Sequence, residues 1–195
     1  GRPAGNTAAR DEIARAWGVD HRPSDVGLDT AGIIGGAAQG GLGALLVGGV
    51  DAEDLGDPAS YDALERAFVV SLDYRPSSVT AYADVVLPVA PFAEKSDSFV
   101  DWEGRVRPFL AALETNALSD YRVLDLLAGE LGHVLGVRSL EQVRAEMAEI
   151  GPWAGPRAAR PDVVSASIPS PGPGQFVLAS WHHLLDKGTL QDGAP

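Results

Sequence analysis

Cysteine is absent from all 195 residues of the chain. Without a thiol these residues can form no disulfide, no thiolate nucleophile and no cysteine-ligated zinc site or iron–sulfur cluster. Long apolar runs are also missing. The run at residues 44–47, for example, ends at two glycines, far short of the roughly 20 residues that cross a bilayer. We therefore expect no direct membrane insertion.

Positive charge is scarce as well. The chain carries 15 Lys and Arg against 27 Asp and Glu, which gives a formal net charge of −12 at pH 7. Nucleic acids and anionic lipid surfaces both require a basic face on the protein that binds them. This balance argues against nucleic acid as a partner and against direct binding to an acidic membrane.

The length suits one domain with a tail. Residues 1–153 are expected to form an α/β domain with a helical addition. Residues 154–174 are rich in Pro, Gly, Ala and Ser, which favours an extended linker. Residues 175–195 offer a brief strand at 176–178 and a short helix at 181–185. With no initiator Met and no signal peptide at its polar start, the chain is expected to be part of a longer protein.

Three short apolar runs alternate with helical patterns in the first half of the chain. Residues 44–47, 68–72 and 85–87 predict buried strands. Asp57 and Pro58 predict the start of the helix between the first two. Apolar runs without alternation, separated by helices, predict a parallel, Rossmann-like sheet covered on both faces.

Beyond residue 107 the pattern becomes helical. Ser119 is placed to cap a helix, and Ser139 with Gln142 predicts a capping box at the start of a second one. We expect four residues of the first of these helices to face inward: Leu124, Leu127, Ala128 and Leu131.

A glycine-rich tract at residues 32–43 invites comparison with phosphate-binding loops. Neither G-x-G-x-x-G after a strand nor G-x-x-x-x-G-K-[ST] occurs there, and the glycines precede the first predicted strand. We expect a tight turn and small residues where a helix meets the sheet, rather than a nucleotide site.

The candidate binding residues follow the first two predicted strands. Gly49 and Asp51 come after the first strand, and Asp73 ends the second. Open α/β sheets hold ligands at this edge, so a crevice for a small molecule is one interpretation. The one that we favour is that both carboxylates are solvated loop residues or helix caps. The acidic cluster at residues 51–57 lacks the ligand spacing of a calcium loop, so no metal site is expected.

Residues 83–105 carry the most information. A strand ends at Pro88, and Glu94 and the sequence Trp102-Glu103-Gly104-Arg105 follow in a stretch without helical period. A catalytic carboxylate with a raised pKa is one hypothesis for Glu94 or Glu103. We favour a charge-assisted pair, involving Arg105, that holds an irregular segment against the domain.

These residues resemble a known family. Ala-Asp-Val-Val-Leu-Pro at 83–88, Glu94, and Phe-Val-x-Trp-Glu-Gly-Arg at 99–105 are similar to the molybdopterin-oxidoreductase superfamily. Residues 119–127 and 178–193 resemble, within it, the C-terminal part of the large iron–sulfur subunit (the G subunit) of bacterial NADH-quinone oxidoreductase, or respiratory complex I, of actinobacterial type.

The sequence also departs from the family pattern. Asp97 and Ser98 stand where Gly-Thr is common, Asp101 stands for Asn, and Arg107 stands for Gln. In members that bind molybdopterin, this neighbourhood helps to shape the cofactor cleft. An added carboxylate should repel an anionic pyrophosphate, so the resemblance implies the fold without the molybdenum cofactor.

The resemblance implies a scaffold, without redox residues of its own, in an enzyme that passes electrons from NADH to quinone and couples this to ion translocation. It implies 2Fe–2S and 4Fe–4S clusters elsewhere in the full subunit, contacts with other subunits of the peripheral arm, and a place at the cytoplasmic face of the plasma membrane. Two alternatives stay open: a fragment of a true molybdopterin-dependent oxidoreductase of the formate dehydrogenase type, or a free-standing small-molecule binding module at the crevice.

Overall fold

The computed structural model describes residues 2–20, 22–101, 103–159, 167, 170–178 and 187. Its helices are α1 (Thr7–Ala16), α2 (Thr30–Ala38), α3 (Ala59–Arg66), α4 (Asp120–Glu130) and α5 (Leu140–Ile150). Its strands are β1 (Ala44–Gly48), β2 (Phe68–Asp73), β3 (Val85–Pro88), β4 (Asp97–Val100) and β5 (Val106–Phe109). The strands form a sheet of order β1-β2-β3 and a separate β4-β5 hairpin.

The three-stranded sheet is parallel throughout. Ala44 lies opposite Phe68, and Val70 lies opposite Val85. All three strands occur where the apolar runs predict them, each one residue longer than expected. The predicted α/β fold with a parallel sheet is confirmed.

Helices α2 and α3 cover one face of this sheet. The main buried cluster lies between them and the strands: Ile34, Ala37, Ala52, Ala63, Leu64, Ala67, Val69 and Val79. The glycine-rich tract forms α2 and the turn after it, where the Gly41 N–H donates to the Gly36 carbonyl at 2.7 Å. Small residues thus let a helix meet its neighbours closely, as expected.

The second face of the sheet is covered only in part. Leu72, Val89 and Val123 of α4 form a smaller buried cluster there. Because side chains alternate along a strand, Phe68 shares the face of Leu72, and Leu46 lies beside Val70 on it. Leu46 and Phe68 stay 56% and 51% exposed. The prediction of a sheet covered on both faces is wrong for the described residues, since α4 reaches one end of this face.

Residues 97–109 form an antiparallel hairpin where an irregular segment was expected. Phe99 pairs with Arg107, and Val100 with Val106. The strands lack a clean alternation of apolar and polar residues, which hides them in the sequence. The rings of Phe92, Phe99 and Phe109 pack on one another with centroids 5.2–6.0 Å apart, and this cluster holds the hairpin to the turn before it.

Helix α4 begins after Ser119, as predicted, but only part of the predicted face turns inward, since Leu127 and Ala128 are half-buried. Val123 is its buried residue, whereas Leu124 and Leu131 are exposed. The predicted inward face is therefore wrong at these positions, because the helix docks on Leu72 and Val89 through Val123. The capping box of α5 is confirmed, with hydrogen bonds in both directions between Ser139 and Gln142.

Arg2 joins helices α1 and α5. Its guanidinium pairs with Glu12 of α1 at 2.8 Å and donates to the Gly151 carbonyl at 3.0 Å and the Ile150 carbonyl at 2.5 Å. The last carbonyls of a helix lack partners within it and carry partial negative charge, so an arginine there is favourable.

The described part of the predicted linker contains neither helix nor strand. The strand expected at residues 176–178 is also absent, and Phe176 is exposed. The helix expected at residues 181–185 lies outside the described residues, and the domain boundaries stay a prediction. Among the helices that the structure describes, none combines the length and the apolarity needed to cross a membrane.

Candidate functional site

The carboxyl ends of β1 and β2 bring Gly49, Asp51 and Asp73 to one small crevice. Gly49 has a φ of +63°, a left-handed conformation that glycine adopts without strain. Its N–H donates to the Leu72 carbonyl at 3.4 Å, so the chain turns away from the sheet directly after β1. This turn places Asp51 beside the end of β2.

Asp51 is buried and fully engaged. Its Oδ1 accepts hydrogen bonds from Ser78 Oγ at 2.6 Å and from the Glu53 N–H at 3.0 Å. Burial pushes the pKa of Asp51 upward, but the hydrogen bonds from Ser78 and Glu53 and the charge of Lys187 outweigh it, so the pKa lies below its ordinary value. Asp51 is therefore an ionised cap.

Asp73 is buried on the other side of the crevice. Its carboxylate accepts from Ser77 Oγ at 2.9 Å and from the Tyr74 N–H at 2.9 Å. Burial raises the pKa of Tyr74, against the opposing charge of Arg75, and Asp73 adds to the increase. Both carboxylates thus act as turn-forming groups. Asp51 is a cap, one of the two roles favoured from the sequence, but neither carboxylate is a solvated loop residue, since both are buried.

Lys187 also lines the crevice. Its backbone N–H donates to Asp54 Oδ1 at 3.1 Å, and its carbonyl accepts from Arg75 Nη2 at 2.7 Å. Its ammonium pairs with Glu53, and this hydrogen bond raises the pKa of Lys187. A residue far along the chain therefore contributes to the wall of the crevice at this edge of the sheet.

The crevice does not fit a molybdopterin. The cavity lined by these residues has a volume of about 10 Å³, at most enough for a single water. Asp51 and Asp73 line it, and their negative charge opposes an anionic pyrophosphate. Across the ranges that the structure describes, no group of three or more His, Cys, Asp or Glu side chains is arranged to hold a metal ion.

The second candidate motif forms the tip of the β4-β5 hairpin. Asp101 Oδ1 accepts from the N–H groups of Glu103 at 3.0 Å and Arg105 at 2.9 Å. Gly104 has a φ of +81°, which closes the turn. Glu103 and Arg105 pair with each other at 2.5 Å, but their side chains are 54% and 62% exposed. The pair therefore lies within the turn and does not attach it to the domain.

Other charged groups make that attachment. Lys95, whose side chain is largely buried, pairs with Asp120 at the start of α4. Arg144 of α5 donates to the Asp97 carbonyl at 3.2 Å and to Ser98 Oγ at 3.3 Å. Glu94 accepts from Thr115 Oγ1 at 2.9 Å. Trp102 lies outside the described residues.

Sequence reasoning missed four residues that organise these two sites: Ser78, Lys95, Asp101 and Lys187. Asp101 had a signal, because an Asp with a Gly three positions later is typical of a type I turn. Lys187 had none, since its partners Glu53 and Asp54 lie 134 and 133 positions away.

The chain is similar to known oxidoreductases. It is 45% identical over 203 residues to the G subunit of NADH-quinone oxidoreductase from Mycobacterium tuberculosis, covering 100% of this chain and 25% of that protein. It is 47% identical over 201 residues to the G subunit of the Streptomyces coelicolor enzyme, covering 99% and 24%. A nitrate reductase of Symbiobacterium thermophilum is 35% identical over 139 residues, covering 68% and 18%.

The chain therefore spans about a quarter of the length of the G-subunit relatives that it matches. These matches confirm the resemblance drawn from residues 83–105, including its narrower part. A family model described as Molybdopterin oxidoreductase matches residues 4–129, more than half of the chain. The chain belongs to the molybdopterin oxidoreductase family.

Proposed function

We propose that this chain is a scaffold portion of the G subunit of an NADH-quinone oxidoreductase, the enzyme that transfers electrons from NADH to quinone and couples this to ion translocation. Identity of 45–47% over essentially the whole chain to proteins of that name supports this assignment. The segment contributes no redox residue of its own, and the 2Fe–2S and 4Fe–4S clusters belong to other parts of the full-length protein.

The closed crevice is the observation that carries the scaffold role. A family member that used this edge of the sheet for a cofactor would need open space and positive charge there. This chain instead has two buried carboxylates, hydrogen-bonded to Ser78 and Ser77, and a lysine of its own in the lining, paired with Glu53. Its carboxylates are engaged in holding loops in place.

Placement within the assembly follows from the same proposal. The segment contacts other subunits of the peripheral arm, at the cytoplasmic face of the plasma membrane. The exposed Phe92 and Phe99 of the hairpin cluster are apolar surface of the kind that subunit contacts cover.

The alternative is a true molybdopterin-dependent oxidoreductase. The 35% identity to a nitrate reductase over 68% of the chain favours it. The crevice volume and its carboxylates oppose it. The same small volume counts against a free-standing binding module for nucleotides or similar molecules.

Affinity purification of the full-length protein from its native membranes tests the proposal. We expect NADH-quinone oxidoreductase activity to purify with it, and iron but no stoichiometric molybdenum by elemental analysis. One molybdenum atom per polypeptide, together with reductase activity in the absence of the other subunits, would establish the alternative.

A further inference from the structure

Strand β1 has an outer edge that pairs with none of the described residues. On its inner side, the Gly43 carbonyl accepts from the Phe68 N–H at 2.9 Å, and the Gly49 N–H donates to the Leu72 carbonyl. Hydrogen-bonding direction alternates from residue to residue along a strand in a parallel ladder. The backbone N–H and C=O groups of Ala44, Leu46 and Gly48 therefore point outward.

This edge carries none of the residues that keep edges from pairing. The sequence of β1 is Ala-Leu-Leu-Val-Gly, without a charge or a proline. Natural proteins protect exposed edges with lysine, proline, charge or a covering element. An edge left apolar and regular is suited to pair with another strand.

An apolar groove of about 370 Å³ runs beside the edge. Its walls come from α2, β1, the turn at residues 52–55 and α3, and none of the residues lining it is charged. Ser60 lies in this lining, and its buried Oγ has no hydrogen-bond partner among the described residues. Apart from the hydroxyl groups of Thr30 and Ser60, the side chains that line the groove are apolar.

We propose that a further β-strand, extended and uncharged, pairs with the outer edge of β1 and lays its side chains over the groove and over Leu46. The strand comes from the part of the G-subunit polypeptide that this chain does not span, so the inference rests on the proposed function. The relatives carry about three quarters of their length outside the matched region, and a segment of the same polypeptide pairs intramolecularly, without the cost of bringing two separate molecules together. Because no charged residue lines the groove, a strand without charged side chains fits it best.

Residue-resolved hydrogen exchange in the full-length protein tests the pairing, with β1 as its own control. Leu45 and Val47 donate toward β2 and report the intact ladder. We expect the amides of Ala44, Leu46 and Gly48 to exchange within about tenfold of those two. Exchange of the outward amides faster by several orders of magnitude, while the inward pair stays protected, would overturn the proposal.

A photo-crosslinking amino acid at position 46 of the full-length protein identifies the occupant. We expect a cross-link to a segment of the same polypeptide. A cross-link to another subunit or to a second copy, or none at all, would overturn this assignment. Purification of the complex would be unaffected in that case, so the proposed function is tested separately.

Paired variants separate pairing from folding. Leu46→Lys places a charge at the edge, and Leu131→Lys places the same charge at another exposed leucine. We expect only Leu46→Lys to speed exchange at Ala44 and Gly48. Equal exchange in both variants, with the fold retained, would contradict the proposal.

Discussion

Asp51 and Asp73 stand at positions where many α/β proteins bind ligands, yet each carboxylate is satisfied by serine hydroxyl and backbone groups of its own chain. A buried carboxylate must be hydrogen-bonded if it is to stay ionised. Ser77 and Ser78 supply those bonds from the loop after β2. At the scale of single residues, the two carboxylates therefore stabilise the folded chain.

Removal of the Ser78 hydroxyl should lower the unfolding free energy in a pH-dependent way. Ser78→Ala takes a hydrogen bond from a buried charge and leaves the Ala52 N–H without Ser78 Oγ as its acceptor, so we expect a loss of about 1–3 kcal/mol in unfolding free energy at neutral pH. The folded pKa of Asp51 lies below 3.8. Its stabilisation is thus present above that pH and is lost as pH falls through the folded pKa.

Urea unfolding at neutral pH and well below pH 3.8 measures both effects. Ser24→Ala is the control, since Ser24 makes an exposed hydrogen bond to Asp25, and its removal should change little. A loss for Ser78→Ala that is equal at the two pH values would show that Asp51 is not its cause.

Gly104 offers a second test at this scale. Its φ of +81° disfavours any side chain, so Gly104→Ala should destabilise by about 1–2 kcal/mol. Gly129 lies inside α4 with open space around it, so Gly129→Ala should stabilise by roughly 0.5–1 kcal/mol. Thermal unfolding of both variants checks the opposite signs, and a stabilising Gly104→Ala would refute the turn geometry.

The β4-β5 hairpin depends on a few long side chains from its neighbours. Lys95 pairs with Asp120 of α4, and Arg144 of α5 reaches the Asp97 carbonyl. The exposed pair of Glu103 and Arg105 lies at the free tip. Charged side chains therefore attach one end of the hairpin to α4 and α5, whereas the charged pair at its tip makes no such attachment.

Lys95→Met should loosen the hairpin, whereas Glu103→Gln should not. We expect Lys95→Met to cost about 1 kcal/mol, since Asp120 is partly exposed and solvent weakens the pair. Glu103→Gln should change the unfolding free energy by no more than a few tenths of a kcal/mol. Hydrogen exchange of the β4 and β5 amides distinguishes the two variants. If both variants changed the exchange rates equally, the Lys95 contact would not be what holds the hairpin.

Secondary-structure elements could be predicted where the residues that specify them are close together in the sequence. The strands β1, β2 and β3 follow from apolar runs, and the cap of α5 follows from Ser139 and Gln142. The hairpin was missed because Asp97, Ser98 and Pro108 interrupt its alternation. The inward face of α4 depends on where the helix docks, and no pattern within the helix distinguishes Val123 from Leu124.

At the scale of the whole molecule, Lys187 ties a distant part of the chain to the crevice. The position of the crevice was predictable from the strand ends. Its closure was not, because that depends on contacts more than 130 positions apart in sequence.

The rate at which the Lys187 amine is acylated measures whether its contact with Glu53 is formed. Its hydrogen bond to Glu53 raises its pKa, so less free amine is present and the contact persists until pH rises through that raised value. Glu53→Gln should therefore speed acylation of Lys187 severalfold, whereas Glu65→Gln on the exposed side of α3 should not. Lys95 is the other lysine of the chain and serves as the internal reference in mass spectrometry. Unchanged reactivity in Glu53→Gln would refute the contact.

The Arg2 contact has a consequence for biosynthesis. Its guanidinium binds the Gly151 carbonyl, 149 positions away, so α1 cannot take its final position until α5 has left the ribosomal exit tunnel. The strands of the sheet lie between these two helices in the sequence, so the sheet can form during translation before the first helix reaches its final position. A nascent chain stalled with α5 still inside the tunnel should therefore have a sheet that is protected from protease and a first helix that is still cut.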